Sequence, residues 1–229
     1  MKKNSFFYDD KVVYKPWGHE HIIYKDKKDL SVTLLKINYN KNTSLHCHPK
    51  KKTGFIVIAG KALIQLGLWE NTAKLYNAPS KLMIRTGLFH SIKAVSKSGL
   101  YALEFETPFN KKDLVRFKDD YGRQSKPYEG KNFTKKINSN FIRFTKPKLG
   151  KNQLFKIEKT NISLEIHKSF KNLINKKNST IFAVIGGNVV DKKMRKVLSY
   201  GDIIRTGTLK KLSEVFKIKK QLTVIRVWR

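Results

Sequence analysis

Two matched blocks recur along this chain in the same order. Residues 55–63 read FIVIAGKAL and residues 182–190 read FAVIGGNVV, while the tetrapeptide IRTG occurs at 84–87 and again at 204–207. The offset is 127 residues for the first block (55 to 182) and 120 for the second (84 to 204). The loop between the blocks is therefore shorter in the second copy. Two blocks repeated in one order indicate an internal duplication.

Both copies have the pattern of a β protein. Short stretches rich in Val, Ile, Leu, Phe and Tyr alternate with clusters of Gly, Pro, Asn and Ser, and each copy ends in a further apolar stretch, 101–107 and 222–228. This pattern predicts an all-β protein made of sandwiches or barrels. Helical periodicity is weak and predicts short helices only near 111–118 and 208–216. We expect two β-barrel (jelly-roll) repeats, residues 1–130 and 131–229.

The charge is large but evenly spread. The chain has 49 Lys and Arg against 17 Asp and Glu, a net charge of +32, and only 8 of the basic residues are Arg. Nucleic-acid readers depend on Arg and concentrate their charge in a patch or tail. A lysine-covered, solvated surface is the better interpretation, so we disfavour a nucleic-acid partner. The charge does favour an anionic small-molecule substrate.

The sequence also bears on compartment. No apolar run is long enough to cross a membrane, and Asp9, Asp10 and Lys11 interrupt the start before the apolar region of a secretory signal could form. A single cysteine, Cys47, excludes an intramolecular disulfide framework and suits a reducing compartment. We therefore expect a cytoplasmic protein without a membrane partner.

Three histidines of the first copy form a candidate metal site. His46 and His48 stand two residues apart immediately before a predicted strand, so their side chains share one face. His90 begins a later strand that an antiparallel barrel can bring beside them. Three neutral imidazoles suit a divalent ion of Zn, Fe, Ni or Co and leave positions open for substrate. The alternative is that these histidines only form hydrogen bonds at a strand end.

The first copy resembles a known family. A His-x-His pair followed by a later Gly-x-x-His is the cupin motif, and KPWGHE (15–20) and DLVRFKDDYGR (113–123) accompany it in family order. Residues 11–130 thus resemble the cupin domain of type II mannose-6-phosphate isomerases and related stand-alone sugar-metabolism cupins. The resemblance implies a metal-dependent isomerase or epimerase acting on a sugar phosphate or nucleotide sugar in polysaccharide precursor metabolism.

The family's metal ligands do not all carry over. The family has Gln or His, His, Glu and His, and the matching positions here are His46, His48, Thr53 and His90. Thr53 is a poor metal ligand beside a carboxylate. Either three histidines and water hold the ion, or its affinity and the catalysis are altered. A non-catalytic sugar-binding or accessory cupin is therefore the alternative function.

The resemblance also implies other functional residues. Glu104 lies where the family has a Glu on the last barrel strand, and strand alternation puts Glu104 and Glu106 on one face. We expect Glu104 to be the catalytic base, although a strand-edge Glu paired with a lysine explains it equally well. Arg85, Arg116 and Arg123 are candidate phosphate anchors, but Arg85 recurs as Arg205 and can equally be a turn residue.

The second copy serves as an internal control. At the same offsets, His46, His48 and His90 become Leu173, Asn175 and Lys210, whereas the apolar block and the IRTG turn persist. We therefore expect a degenerate second repeat without metal ligands, in a bicupin whose second half either forms a dimer-like interface with the first or covers its open edge. The sequence is also compatible with a homodimer.

Overall fold

The computed structural model describes residues 8–27, 29–123 and 133–229, and these residues are mostly β. The predicted boundary between residues 130 and 131 lies outside the described residues. No described helix is long and apolar enough to cross a membrane.

The first half of the chain consists of short antiparallel strands. Its described strands are β1 (Lys11–Lys15), β2 (Gly18–Asp26), β3 (Leu30–Ile37), β4 (Leu45–Cys47), β5 (Lys52–Ala59), β6 (Lys61–Leu66), β7 (Lys74–Asn77), β8 (Ser80–Ile84), β9 (His90–Ala94), β10 (Leu100–Thr107) and β11 (Val115–Lys118), followed by β12 (Thr134–Lys136). A single 3₁₀ turn, Glu70–Thr72, precedes β7. The predicted helix near 111–118 is wrong, because residues 111–114 form a turn and loop and β11 occupies the rest of that segment.

These strands form two sheets that enclose a core. The seven-stranded sheet has the order β12-β1-β2-β3-β10-β5-β8, and the five-stranded sheet has the order β11-β4-β9-β6-β7. Leu35 and Val57 from the larger sheet pack with Ile64 and Ile92 from the smaller one. The two sheets therefore close on each other as the predicted first barrel requires.

The turn between β5 and β6 explains the glycine of the first repeated block. Gly60 has a φ of +82°, in the left-handed region. A Cβ atom placed there would lie 2.4 Å from the carbonyl oxygen of Gly99. Only glycine fits this tight connection.

The second half has a different architecture. It consists of strands and two helices: β13 (Gln153–Ile157), β14 (Thr160–His167), α1 (Lys171–Ile174), β15 (Ile181–Val190), β16 (Lys196–Leu198), β17 (Ile203–Arg205), α2 (Thr206–Ser213) and β18 (Lys217–Trp228). One six-stranded sheet runs β13-β14-β18-β15-β16, and β17 also pairs with β15. The predicted second barrel is not confirmed, because the described residues form a single sheet with helices. The helix expected near 208–216 is present as α2.

The two halves nevertheless share one sheet order. The five strands β2-β3-β10-β5-β8 correspond in order to β13-β14-β18-β15-β17. The strands that carry the histidine motif, β4 and β9, have α1 and α2 at the corresponding sequence positions. The second half therefore has one sheet of the pair and two helices in place of the other.

A shared apolar core joins the halves. Ile56 and Leu103, from the outer face of the seven-stranded sheet, pack with Leu164, Ala183 and Ile225 of the second sheet. Strands β3, β5 and β10 thus have both faces buried, which explains their nearly continuous apolar sequences. The second half covers the open face of the first sheet.

Candidate metal centre

The three histidines of the motif lie together inside the first barrel. His46 and His90 are directly paired residues of β4 and β9, and His48 follows β4. The ring centroids are 4.6 Å apart for His46 and His90, 4.9 Å for His46 and His48, and 5.3 Å for His48 and His90. One ring nitrogen of each lies within 4.8 Å of those of the other two. This group is able to hold a metal ion.

Backbone carbonyls fix the orientation of each imidazole. Nδ1 lies 2.8 Å from the Ser44 oxygen in His46, 2.6 Å from the Asp113 oxygen in His48 and 3.0 Å from the Leu88 oxygen in His90. Because a carbonyl oxygen only accepts, each Nδ1 donates and each Nε2 retains its lone pair.

The remaining nitrogens fit a metal ion. Nε2 of His48 and Nε2 of His90 are buried and have no hydrogen-bond partner among the described residues. Buried polar atoms without partners are costly unless a ligand binds them. The donor set, three neutral nitrogens from β4, the residue after it and β9, is one that zinc, iron, nickel and cobalt accept.

The surroundings keep the three imidazoles neutral. Burial, followed by the neighbouring His90 and His48, lowers the pKa of His46 well below its ordinary value. Burial and the charge of Lys51 lower the pKa of His48 to about 3, and burial, with a contribution from Lys51, lowers that of His90 to about 4. Neutral imidazoles are the form that binds metals.

A cavity of about 90 Å³ adjoins the histidines. Glu104 and Glu106 of β10 both line it, as their predicted common face requires. Glu104 is buried and makes no hydrogen bond or ion pair with the described residues. Burial, and then the charge of Glu106, raises the pKa of Glu104 to about 7. Such a pKa suits a group that both accepts and donates a proton near neutrality.

Two lysines, the buried Lys51 and the partly buried Lys111, neutralise Glu106. Lys51 pairs with one carboxylate oxygen, Lys111 lies 2.8 Å from the other, and Ser31 donates to that second oxygen at 3.0 Å. Burial acts to raise the pKa of Glu106, but Lys111 and Lys51 together bring it below its ordinary value. Sequence reasoning missed these lysines, since nothing in the pattern separates them from the many others.

Thr53 lies on β5 beside this cluster. It is directly opposite Glu106 on β10 and Ile84 on β8. The residue is 1% exposed, and its hydroxyl has no hydrogen-bond partner among the described residues. A neutral hydroxyl therefore occupies the position at which the family has a carboxylate.

The three candidate arginines do not lie together. Arg116 and Arg123 line the cavity, whereas Arg85 is exposed and outside its wall. Arg123 forms an ion pair with Asp119, and Arg116 donates to the Arg123 carbonyl oxygen at 2.8 Å. Of the three candidate arginines, only Arg116 and Arg123 therefore line this cavity.

The described residues of the second half, 133–229, contain no equivalent group. Leu173 on α1 is fully buried in an apolar cluster, and Lys210 on α2 is exposed. Both groups of ligand residues found in the described chain lie in the first half.

The two-sheet barrel and its inward-facing histidines define a cupin-type protein. A model of the family described as "Mannose-6-phosphate isomerase C-terminal" matches residues 3–119. The chain belongs to this family. A search of curated proteins finds no match.

Several solved structures are similar over less than half of this chain. The capsular polysaccharide assembling protein CapF from Staphylococcus aureus has 16% identity and a TM-score of 0.41, over 47% of this chain and 34% of that one. KdgF from Halomonas sp. has 18% identity and a TM-score of 0.39, over 47% of this chain and 98% of that one. An uncharacterized double-stranded β-helix protein from Klebsiella pneumoniae has 15% identity and a TM-score of 0.40, over 44% and 84%. The chain spans about a third of the length of CapF.

Proposed function

We propose that this protein is a metal-dependent enzyme that isomerises or epimerises a sugar phosphate or nucleotide sugar, in the supply of polysaccharide precursors. One observation supports this most strongly: three neutral imidazoles converge in a cavity that also contains Glu104, a buried carboxylate with no hydrogen-bond or ion-pair partner among the described residues. The family membership is consistent with sugar-phosphate chemistry.

The residues that line the cavity have separate roles in the proposed reaction. His46, His48 and His90 would hold a divalent ion, which when bound supplies Lewis-acid polarisation of adjacent sugar oxygens. Glu104 takes a proton from the carbon next to the sugar carbonyl as that C–H bond breaks, and the electron pair remains in the enediolate. Glu104 then gives this proton to the former carbonyl carbon, which forms the new C–H bond, while the hydroxyl proton of the neighbouring carbon passes to the former carbonyl oxygen and the new carbonyl forms.

Arg116 and Arg123 are the proposed anchors for the anionic group. Both line the cavity, and guanidinium groups bind phosphate through two hydrogen bonds. We do not assign this role to Arg85, because it is exposed and outside the cavity wall.

Turnover with and without metal tests the proposal. Purified protein, freed of metal with a chelator and reloaded separately with Zn²⁺, Fe²⁺, Ni²⁺ or Co²⁺, is assayed on hexose phosphates and nucleotide sugars. We expect turnover that the chelator abolishes and that His90→Gln lacks. His19→Gln, a histidine outside the cavity, is the matched control and should retain it. Metal binding without turnover of any of these sugars would contradict an enzymatic role.

A non-catalytic sugar-binding or accessory cupin is the second candidate. Thr53 favours it, because the neutral side chain leaves the charge of a bound ion less compensated than in the family. Saturable binding of a sugar phosphate without chemical change, measured by calorimetry, would support this candidate.

We also propose a duplicated fold, a cytoplasmic location and a homodimer. The shared sheet order supports a duplicated cupin whose second copy degenerated when helices replaced its histidine-bearing strands. The buried lone Cys47 is compatible with a cytoplasmic location.

Light scattering, which gives the mass of the protein in solution, tests whether the protein forms a homodimer.

A further inference from the structure

We propose that Glu104 is the fourth protein ligand of the metal centre and supplies from β10 the carboxylate that Thr53 does not supply from β5. The inference rests on the proposed function in one respect, since it requires a metal ion at the three histidines.

A second group of potential ligands overlaps the first. His48, Glu104 and Glu106 each offer one ligand atom, and these atoms lie within 4.8 Å of one another. His48 belongs to this group and to the histidine group alike. Carboxylate oxygens of β10 therefore reach the edge of the histidine cluster. Glu104 is 9% exposed and lines the same cavity as all three histidines.

The contacts of the two carboxylates decide between them. Glu106 already accepts bonds from Lys51, Lys111 and Ser31, so binding a cation through it would disrupt buried ion pairs. Glu104 makes no hydrogen bond or ion pair with the described residues, so nothing has to be broken when it binds a cation. Glu104 is therefore the available ligand.

Charge balance favours the same assignment. The positive charge of Lys51 lies in the wall of the cavity that the three histidines also line. The same charge would repel a divalent cation at their centre. Since Thr53 is neutral and Glu106 is already neutralised by lysines, Glu104 is the nearby carboxylate left to offset this repulsion.

Ligation is compatible with the proposed proton transfer. A carboxylate has two oxygens, and binding through one leaves the other able to take and return a proton. Glu104 thus serves as both ligand and base.

Titration of Co²⁺ into the metal-free, full-length protein tests the assignment. Affinity is measured by calorimetry, and coordination number by the visible absorption of bound Co²⁺. We expect Glu104→Gln and Glu104→Ala to weaken Co²⁺ binding by about a hundredfold or more and to change the absorption. Loss of a group that merely hydrogen-bonds a ligand already costs roughly ten- to a hundredfold. Thr53→Val, the matched control, should leave both measurements unchanged.

Three results would overturn the assignment in distinguishable ways. If both Glu104 variants bind Co²⁺ with wild-type affinity and absorption but lose turnover, Glu104 is a base and not a ligand. If Thr53→Val weakens binding as much as they do, Thr53 contributes the fourth ligand. If the wild-type protein itself binds no Co²⁺, the proposed metal-dependent function fails as well. Circular dichroism of each metal-free variant separates these results from misfolding.

Discussion

Thr53 and Glu106 lie directly opposite each other on the neighbouring strands β5 and β10. A glutamate at position 53 would face Glu106 across this pair, and like charges in such positions repel. The chain therefore has its carboxylates on β10 and a neutral residue on β5. The chain therefore differs from the family pattern, in which a carboxylate stands at the position of Thr53.

The unpartnered hydroxyl of Thr53 predicts that Thr53→Val stabilises the metal-free protein. Valine has the same shape and removes a buried polar atom without a partner, so we expect a gain of about 1 kcal/mol in the free energy of unfolding. Urea denaturation measures it. Thr43→Val is the control, because the Thr43 hydroxyl accepts from the Ile92 amide at 3.1 Å, and it should lose stability. Equal losses in both variants would contradict the expectation.

The buried cluster around Glu106 predicts a large loss for Glu106→Gln. The substitution leaves Lys51 and Lys111 without their buried counter-charge, and breaking a buried pair in this way costs about 3–5 kcal/mol. The control is Glu70→Gln, which removes an exposed pair whose lysine and glutamate side chains are 62% and 83% exposed. It should change stability by less than about 0.5 kcal/mol. Similar effects of the two variants on the denaturation midpoint would contradict the larger stabilisation expected of the buried ion pairs of Glu106.

A buried network in the second half predicts a pH dependence. Glu165 accepts from Ser163 at 2.6 Å, from His167 at 2.9 Å and from Arg226 at 2.9 Å. Burial acts to raise the pKa of Glu165, but these three partners lower it below its ordinary value of 4.5. The stabilisation is therefore present above pH 4.5 and is lost as the pH falls through the lowered folded-state pKa.

The corresponding variant is Glu165→Gln. We expect it to be less stable than the wild type at pH 7 by about 2 kcal/mol, and the difference to shrink as the pH falls below the ordinary value. Urea denaturation across the acidic range measures both proteins. A difference that grows towards acid pH would contradict the sign of the shift.

Close packing between the halves predicts the effect of Gly54→Ala. A Cβ atom at Gly54 would lie 2.6 Å from Cδ1 of Ile203 and 2.9 Å from the sulfur of Met83. Overpacking of this kind costs about 1–3 kcal/mol. Adding Ile203→Val removes the Cδ1 atom and should recover part of the loss. Gly207→Ala, where an added Cβ meets nothing within 4 Å, is the control. Strictly additive effects of Gly54→Ala and Ile203→Val would exclude this contact.

Local sequence patterns determined much of the first half. The His-x-His spacing was sufficient to predict that His46 and His48 share one face, and the alternation in YALEFET was sufficient to predict that Glu104 and Glu106 share another. These features depend only on the two-residue period of a strand. The direct pairing of His46 with His90 depends on the pairing of β4 with β9, which the sequence pattern does not specify.

Other features depend on tertiary contacts that no local pattern records. Lys51 is buried and Lys111 partly buried because both pair with Glu106, and in sequence they resemble surface lysines. Arg85 repeats in the second copy because the IRTG turn repeats, which says nothing about the cavity. The sequence pattern also did not predict that α1 and α2 replace the second sheet, since apolar residues such as Leu173 fit a buried helix or a strand.

Zinc binding to the metal-free protein tests the central claim most directly. Titration calorimetry with Zn²⁺ compares the wild type with a variant in which His46, His48 and His90 are all glutamine. We expect one ion bound per wild-type chain and no saturable binding by the triple variant. Equal binding by both proteins, or none by the wild type, would contradict the metal centre.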